Sequence, residues 1–242
     1  MILLLDVGNT RVKWAWLEYL EIAPSGAVAH DTTHRRWQGE IEADGHRPSR
    51  IVVSNVAGPA FAAALTLWSR DHYAVEPEFV LARDRLLGVT NGYLRPDALG
   101  VDRWLALIAA WRSAPRATLV VNSGTALTVD TLDAAGRHRG GLILPGVQML
   151  GESRAPWAQG AELLPGRALD GLPPDPVPLT LAALADRALG EFAAAIGTAP
   201  RFILTGGDAQ LLEPFLPQSA EIVPELVLTG LAIVATRGDS GD

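Results

Sequence analysis

Residues 3–14 read "LLLDVGNTRVKW", and residues 119–130 read "LVVNSGTALTVD". In each, three apolar residues lead to a polar one, Asp6 or Asn122. A spacer follows, then Gly8 or Gly124, a small polar residue and a second run rich in apolar residues. The first stretch alone predicts an ordinary β-hairpin, because two such runs flanking Gly-Asn are a strong hairpin signal. The echo asks for more. A second pair recurs in the same order: "RIVVSNVAGPAFAAAL" (50–65) and "RFILTGGDAQLLEPF" (201–215). Both give Arg, three apolar residues, Ser54 or Thr205, a turn and a helix pattern. The chain is therefore expected to be an α/β protein built from a duplicated unit, with domains at 1–113 and 114–242.

Two hairpins facing each other across a cleft have a physical use. Consecutive backbone N–H groups in tight turns form anion-binding concavities. Glycine lets the backbone approach a phosphate closely and supplies the positive φ of a tight turn. A carboxylate such as Asp6 can hold Mg²⁺ through water, because that ion sheds its hydration reluctantly. Donors on the phosphates, a metal and an aligned nucleophile are the parts of phosphoryl transfer.

The bulk properties narrow the class. The 242 residues are 48% apolar and 19% charged, with a net charge of −7. That balance argues against a nucleic-acid surface, which needs clustered Lys and Arg; the only dense basic run is "TTHRR" at 32–36. The absence of cysteine excludes a disulfide framework and a thiolate metal site, and fits the cytoplasm. The first apolar run ends at Asp6, too short for a signal peptide or a membrane span. The five histidines show no ligand spacing and read as surface or loop residues, and the seven tryptophans read as packing.

Along the chain, strands are expected at 2–5, 11–17 and 77–82, a buried strand followed by a loop over 50–58, and residues 24–50 give no clear element. Pro59 opens a helix, as proline at a first helical turn is favoured. Residues 101–113, "VDRWLALIAAWRS", form another helix, with Asp102 where an N-cap belongs. Strand, turn, strand, turn, strand follow over 117–146. The run "GLPPDPVPL" (171–179) predicts an extended loop, and 181–197 a helix. "PELVLTGLAIVATR" (224–237) is strand or helix.

Six stretches, in order, resemble the type III pantothenate kinases of the actin, Hsp70 and sugar-kinase superfamily. They are "DVGNTRVK" (6–13), "NGYLRPDALGVDRWLAL" (91–107), "GTALTVD" (124–130), "GGLILPG" (140–146), "LTGGDA" (204–209) and "PELVLTGLA" (224–232). They cover most of the chain outside 18–50 and 150–200. "GVDRW" after "NGY" and together with "GTALT" is a specific combination, whereas D-x-G-N-T alone is weak. The resemblance implies two ribonuclease-H-like (actin-like ATPase) domains with a nucleotide cleft between them. It implies ATP-dependent phosphorylation of pantothenate to 4'-phosphopantothenate, the first step of coenzyme A synthesis, in a cytoplasmic homodimer with no nucleic-acid or membrane partner.

It also implies roles by position. Asp6, Val7, Gly8, Asn9, Thr10, Arg11, Val12 and Lys13 match the first phosphate-binding motif, with Asp6 near Mg²⁺. Thr125 matches the second. Tyr93, Gly100, Val101, Asp102 and Arg103 match positions that hold pantothenate, and Asp102 matches the general base. Thr180 is the nearest match to a substrate-contacting threonine, in a region rewritten relative to the family. The family uses an aspartate at the start of the second motif to hold K⁺ or NH₄⁺. Asn122 stands there and offers a neutral amide oxygen, so weaker cation affinity is expected. Asp130 is a candidate substitute that nothing in the sequence places there.

Each role has a structural alternative. Asp102 could cap its helix, Arg103 could form a surface ion pair, Tyr93 could pack a turn, and Gly206-Gly207 could merely end a strand. A non-catalytic accessory or regulatory relative that keeps the fold and nucleotide binding is the alternative to the kinase.

Overall fold

The computed structural model describes residues 1–29, 36–154, 173, 175–216 and 220–237. His30, His34 and, apart from Arg36, the basic run at 32–36 lie outside these residues. The described chain forms two compact units. The first holds residues up to Pro115, the short piece Gly136–His138, and the chain from Glu225 onward; the second holds Arg116–Ala135 and Arg139–Pro224. A single cut near residue 113 does not divide the chain this way.

In the first unit, β1 (Ile2–Val7), β2 (Arg11–Glu18) and β3 (Glu21–Ala29) form a meander. Helix α1 (Arg36–Ala43), β4 (Arg50–Asn55), α2 (Pro59–Tyr73) and β5 (Pro77–Phe79) follow. Strand order is β3-β2-β1-β4-β5, with β4 parallel to β1 and β5 parallel to β4. Strand β3 is the element the sequence hid. Its Pro24 and Gly26 break the pattern, and both are tolerated because β3 is an edge strand with a bulge opposite Trp14 and Ala15. Gly26 is required there: a Cβ would lie 2.2 Å from the Trp14 ring.

One face of this sheet carries Leu3, Leu5, Val7, Val12, Trp14, Trp16, Ile51 and Val53. It packs on Trp37 and Ile41 of α1 and on Phe61, Leu65 and Trp68 of α2. Trp14, Trp16, Trp37 and Trp68 are packing residues, as expected, while Trp157 lies outside the described residues. Asp44, just past α1, accepts from the indole N–H groups of both Trp14 (2.9 Å) and Trp16 (2.8 Å), so these polar edges are satisfied inside the core.

The unit continues through a small ribbon, β6 (Arg85–Leu86) with β7 (Val89–Thr90), to α3 (Val101–Ser113). Helix α3 occupies the expected residues, but it begins one residue before Asp102, after Gly100. Asp102 is therefore inside the first turn and not the N-cap. An acid there still suits the positive end of the helix dipole.

The second unit repeats the plan. Its strands are β8 (Thr118–Ser123), β9 (Ala126–Leu132), β10 (His138–Pro145), β11 (Arg201–Thr205) and β12 (Glu221–Ile222). Their order is β10-β9-β8-β11-β12, with β9 antiparallel to β8, and β11 parallel to both β8 and β12. Helices α4 (Val147–Arg154) and α5 (Pro176–Ile196) follow β10, and α6 (Ala209–Leu212) follows β11. Leu119, Val121, Leu127, Val129, Phe202 and Leu204 pack against Val177, Leu181, Ala185 and Leu189 of α5. The proline-rich run was expected to be extended, yet its second half is helical. Asp175 accepts from Val177 N (3.1 Å) and Pro176 takes the first position of α5, where its missing N–H is not needed. Gly197, at φ 72, ends α5.

The duplication thus holds in three dimensions. Asp6 pairs with Lys13 and Ser54; Asn122 pairs with Thr128 and Thr205. The second hairpin is one residue shorter, so the gapless overlay of the two stretches slips past the turn, and Thr128 rather than Val129 stands where Lys13 does. Both halves also carry the same ion pair. Arg50 donates to Glu78 with two nitrogens (2.8 and 2.7 Å), and Arg201 donates to Glu221 likewise (2.7 and 2.6 Å). These are paired-fork contacts of the stronger, geometrically specific kind.

The last element, α7 (Leu226–Arg237), is a helix. It packs on α3 and on β1 and β4 of the first unit, which is why the C-terminus belongs there. Gly230 makes the approach to α3 possible: a Cβ would lie 2.1 Å from the carbonyl oxygen of Leu105. Among the described residues no helix is long and apolar enough to cross a membrane.

Candidate active site

The first hairpin sets the site. Val7 and Val12 face each other across it and are fully buried in the core, so only their backbones are available to a ligand. Asn9, Thr10 and Arg11 are exposed at the tip, and Gly8 N–H closes the turn by donating to Arg11 O (2.9 Å). Neither Gly8 nor Gly124 has a positive φ. A Cβ on Gly124 would meet nothing within 4 Å, and one on Gly8 only Arg11 O at 3.3 Å, so packing within the chain does not by itself demand glycine at either position.

Alternation along β1 and β2 puts Asp6 and Lys13 together on the face opposite the aromatic core. The Asp6 carboxyl is pushed up to about 7. Burial is the largest cause, and the negative charge of Asp102 is the next. Lys13 and the Ser54 hydroxyl pull it down, and Glu225 raises it slightly. Ser54 makes no hydrogen bond within strict geometric limits, yet its hydroxyl faces the carboxyl closely enough to favour the charged form. Lys13 Nζ donates to both oxygens of Glu225 (3.0 and 3.1 Å). Glu225 immediately precedes α7 with a left-handed backbone, φ 54. Sequence reasoning missed this residue. Nothing in "PEL" marks an acid that the returning C-terminal helix brings to the first hairpin.

Helix α3 supplies the other half. Asp102 Oδ1 accepts from Arg103 N (2.8 Å). Gly100 makes room for that carboxylate, since a Cβ there would lie 2.6 Å from Asp102 Oδ1. Arg103 was open to a surface reading, but it is only 4% exposed. It donates from Nη1 to the Tyr93 hydroxyl (3.1 Å), and its guanidinium carbon lies 5.8 Å from the Tyr93 ring centre. Val101 is buried. Asp6, Lys13, Tyr93, Gly100, Asp102 and Arg103 therefore all belong to one unit, with Asp6 sensing the charge of Asp102.

Thr125 and Thr180 belong to the second unit. Thr125 lies in the β8–β9 turn, and its carbonyl accepts from Gly146 N (2.9 Å). Gly146 must be glycine, because a Cβ would sit 1.9 Å from Gly124 O. Asn122 lies against Gly206, whose Cβ would be 2.5 Å from Asn122 Oδ1. So the Gly-Gly turn, whose Gly206 has φ 97, is pressed onto the end of the second hairpin. Thr180 is exposed on α5 and donates to Pro176 O (2.8 Å). Asp130 is buried opposite Val120, two residues farther from the turn than Thr128, the partner of Asn122. Among the described residues no three His, Cys, Asp or Glu side chains gather as a metal cage.

A doubled strand order, with a hairpin leading each half and an acid beside the first, defines an actin-like ATPase fold. An archaeal actin homolog shares it at a TM-score of 0.51, with 11% identity over 98% of this chain and 99% of its own. The family model for type III pantothenate kinase matches residues 2–166. The type III pantothenate kinase of Nitrosococcus oceani is 36% identical, over 97% of this chain and 94% of its own. That of Azoarcus sp. is 38% identical over 100% and 93%. The chain belongs to the type III pantothenate kinase family.

Proposed function

We propose that this protein transfers the γ-phosphoryl group of ATP to the primary hydroxyl of pantothenate, with Asp102 as the general base. The observation that carries the reading is the union, in one folded unit, of Asp6, Lys13 and the Asp102–Arg103 pair, close enough for the Asp102 charge to raise the Asp6 carboxyl. In the reaction, the hydroxyl oxygen bonds to the γ-phosphorus, the bond to the ADP oxygen breaks, and Asp102 takes the hydroxyl proton. Such positioning and electrostatic aid is most of what phosphoryl transfer asks of a protein.

The exposed turn at Asn9–Arg11, and in the second unit the turn at Thr125, would receive the phosphates. Lys13 would add a positive charge. Arg103 would bind the pantothenate carboxylate, a planar anion that suits a guanidinium fork, with Tyr93 and the Gly100–Val101 backbone beside it. Thr180 would contact the substrate only after giving up its bond to Pro176 O. Asp6 fits Mg²⁺, because a cation relieves a carboxyl held near neutrality by burial and a neighbouring acid. The ion would be held there through water and would offset charge on the phosphates. Asn122 offers an amide oxygen alone, so K⁺ or NH₄⁺ would bind weakly. A cytoplasmic homodimer completes the reading, and the net charge of −7 weighs against a nucleic-acid partner. Retention of Asp6, Lys13, Asp102 and Arg103 favours the kinase over a non-catalytic relative.

The test is Asp102→Asn. Loss of the base should lower kcat by about 10²–10⁴-fold with little change in thermal stability. Near-intact turnover would remove Asp102 from the mechanism.

A further inference from the structure

His138 does not behave as the loop histidine its sequence suggested. It is 3% exposed, and its ring lies nearly parallel to that of Tyr93, 7° apart in plane and 5.8 Å between centres. The loop carrying Tyr93 is pressed onto it: a Cβ on Gly92 would fall 2.1 Å from the carbonyl oxygen of His138. Next to His138 in sequence, Thr90 N donates to Gly136 O (2.9 Å), and Thr90 bridges to Arg137. Residues 136–138 therefore form a platform under the loop that leads into α3. Tyr93 in turn accepts from Arg103.

We infer that His138 is a positioning residue for the acid-binding end of the substrate site, acting through Tyr93 on Arg103. This rests on the reading of Arg103 given above. A guanidinium receives a carboxylate best with two parallel bonds, which demands that the fork be oriented before the ligand arrives. The Tyr93 hydroxyl is one of the groups that hold the Arg103 guanidinium, and the Tyr93 ring lies stacked on His138. A parallel-displaced aromatic contact restricts ring tilt in a way that an aliphatic side chain of similar bulk does not. His138 touches neither ATP nor pantothenate in this scheme. Its effect is confined to how well the acid end of the substrate is held.

The experiment compares His138→Leu and His138→Gln, which lack a flat aromatic ring, with His138→Phe, which keeps one. Pantothenate and ATP are varied separately, and thermal melts check each fold. In the non-aromatic variants, KM for pantothenate should rise about tenfold, while kcat and KM for ATP stay within about twofold. His138→Phe should restore KM for pantothenate to within about twofold of the parent. An unchanged KM for pantothenate, an equal rise in both KM values, or a Phe variant as impaired as the Leu variant would each overturn the inference. Failure of both non-aromatic variants to fold would assign His138 to the core alone and overturn it too. A parent chain that forms no phosphorylated pantothenate would defeat the kinase reading and this inference together, whereas an active parent with indifferent variants defeats this inference alone.

Discussion

A carboxyl that titrates near neutrality weakens the fold that carries it. The folded pKa of Asp6, about 7, lies above the ordinary 3.8, so between those values the folded chain holds a proton that the unfolded chain releases. Stability attributable to this group is therefore greatest below about pH 4, falls as pH rises toward 7, and levels off above it. Asp6→Asn mimics the protonated form. Without nucleotide or metal, its melting temperature should exceed the parent's at pH 8, and the gap should close as pH approaches 4. A constant gap would remove the titration from Asp6. Asn122 makes the second prediction at this scale. Activity should depend only modestly on K⁺ or NH₄⁺, and Asn122→Asp should deepen that dependence. Absolute dependence in the parent chain would contradict the argument from the neutral amide.

Between elements, the decisive contact is α7 on α3. The 2.1 Å that separates an added Cβ on Gly230 from Leu105 O must be relieved by moving one helix. Gly230→Ala should therefore destabilise the chain by about 1–3 kcal/mol, as overpacking does, measured by urea unfolding; a neutral result would show that the helices part freely. Elements of this kind were readable where local chemistry decides them. Alternation around a short turn marked both hairpins, Pro59 marked α2, and Asp102 with its apolar followers marked α3 to within a residue. What escaped depended on distant partners. Strand β3 exists because an edge can tolerate Pro24. The fate of "PELVLTGLAIVATR" was undecided because an almost wholly apolar run has no period to read; only the surface of α3 and the first sheet makes it a helix. Burial of His138 and the reach of Glu225 to Lys13 are likewise products of chain return, invisible in spacing.

Across the chain, the duplication organises everything else. Two sheets of the same strand order each carry a hairpin at the same place, and each carries a forked Arg–Glu pair between equivalent strands. The copies have diverged where chemistry would differ. The first keeps Asp6 opposite Lys13; the second has Asn122 opposite Thr128. Charged side chains are thus concentrated at the first hairpin's unit, which also owns Asp102 and Arg103, and the second hairpin carries a neutral pair. The candidate site was legible because the motifs "DVGNTRVK" and "GVDRW" are local. The supports that orient it were not.

The most direct trial is to incubate the purified chain with ATP, Mg²⁺ and pantothenate and to weigh the products by mass spectrometry. One ADP should appear for each pantothenate carrying a single phosphate on its primary hydroxyl, with the carboxylate untouched. No phosphorylated pantothenate at saturating ATP and Mg²⁺, or ADP released without it, would contradict the assignment.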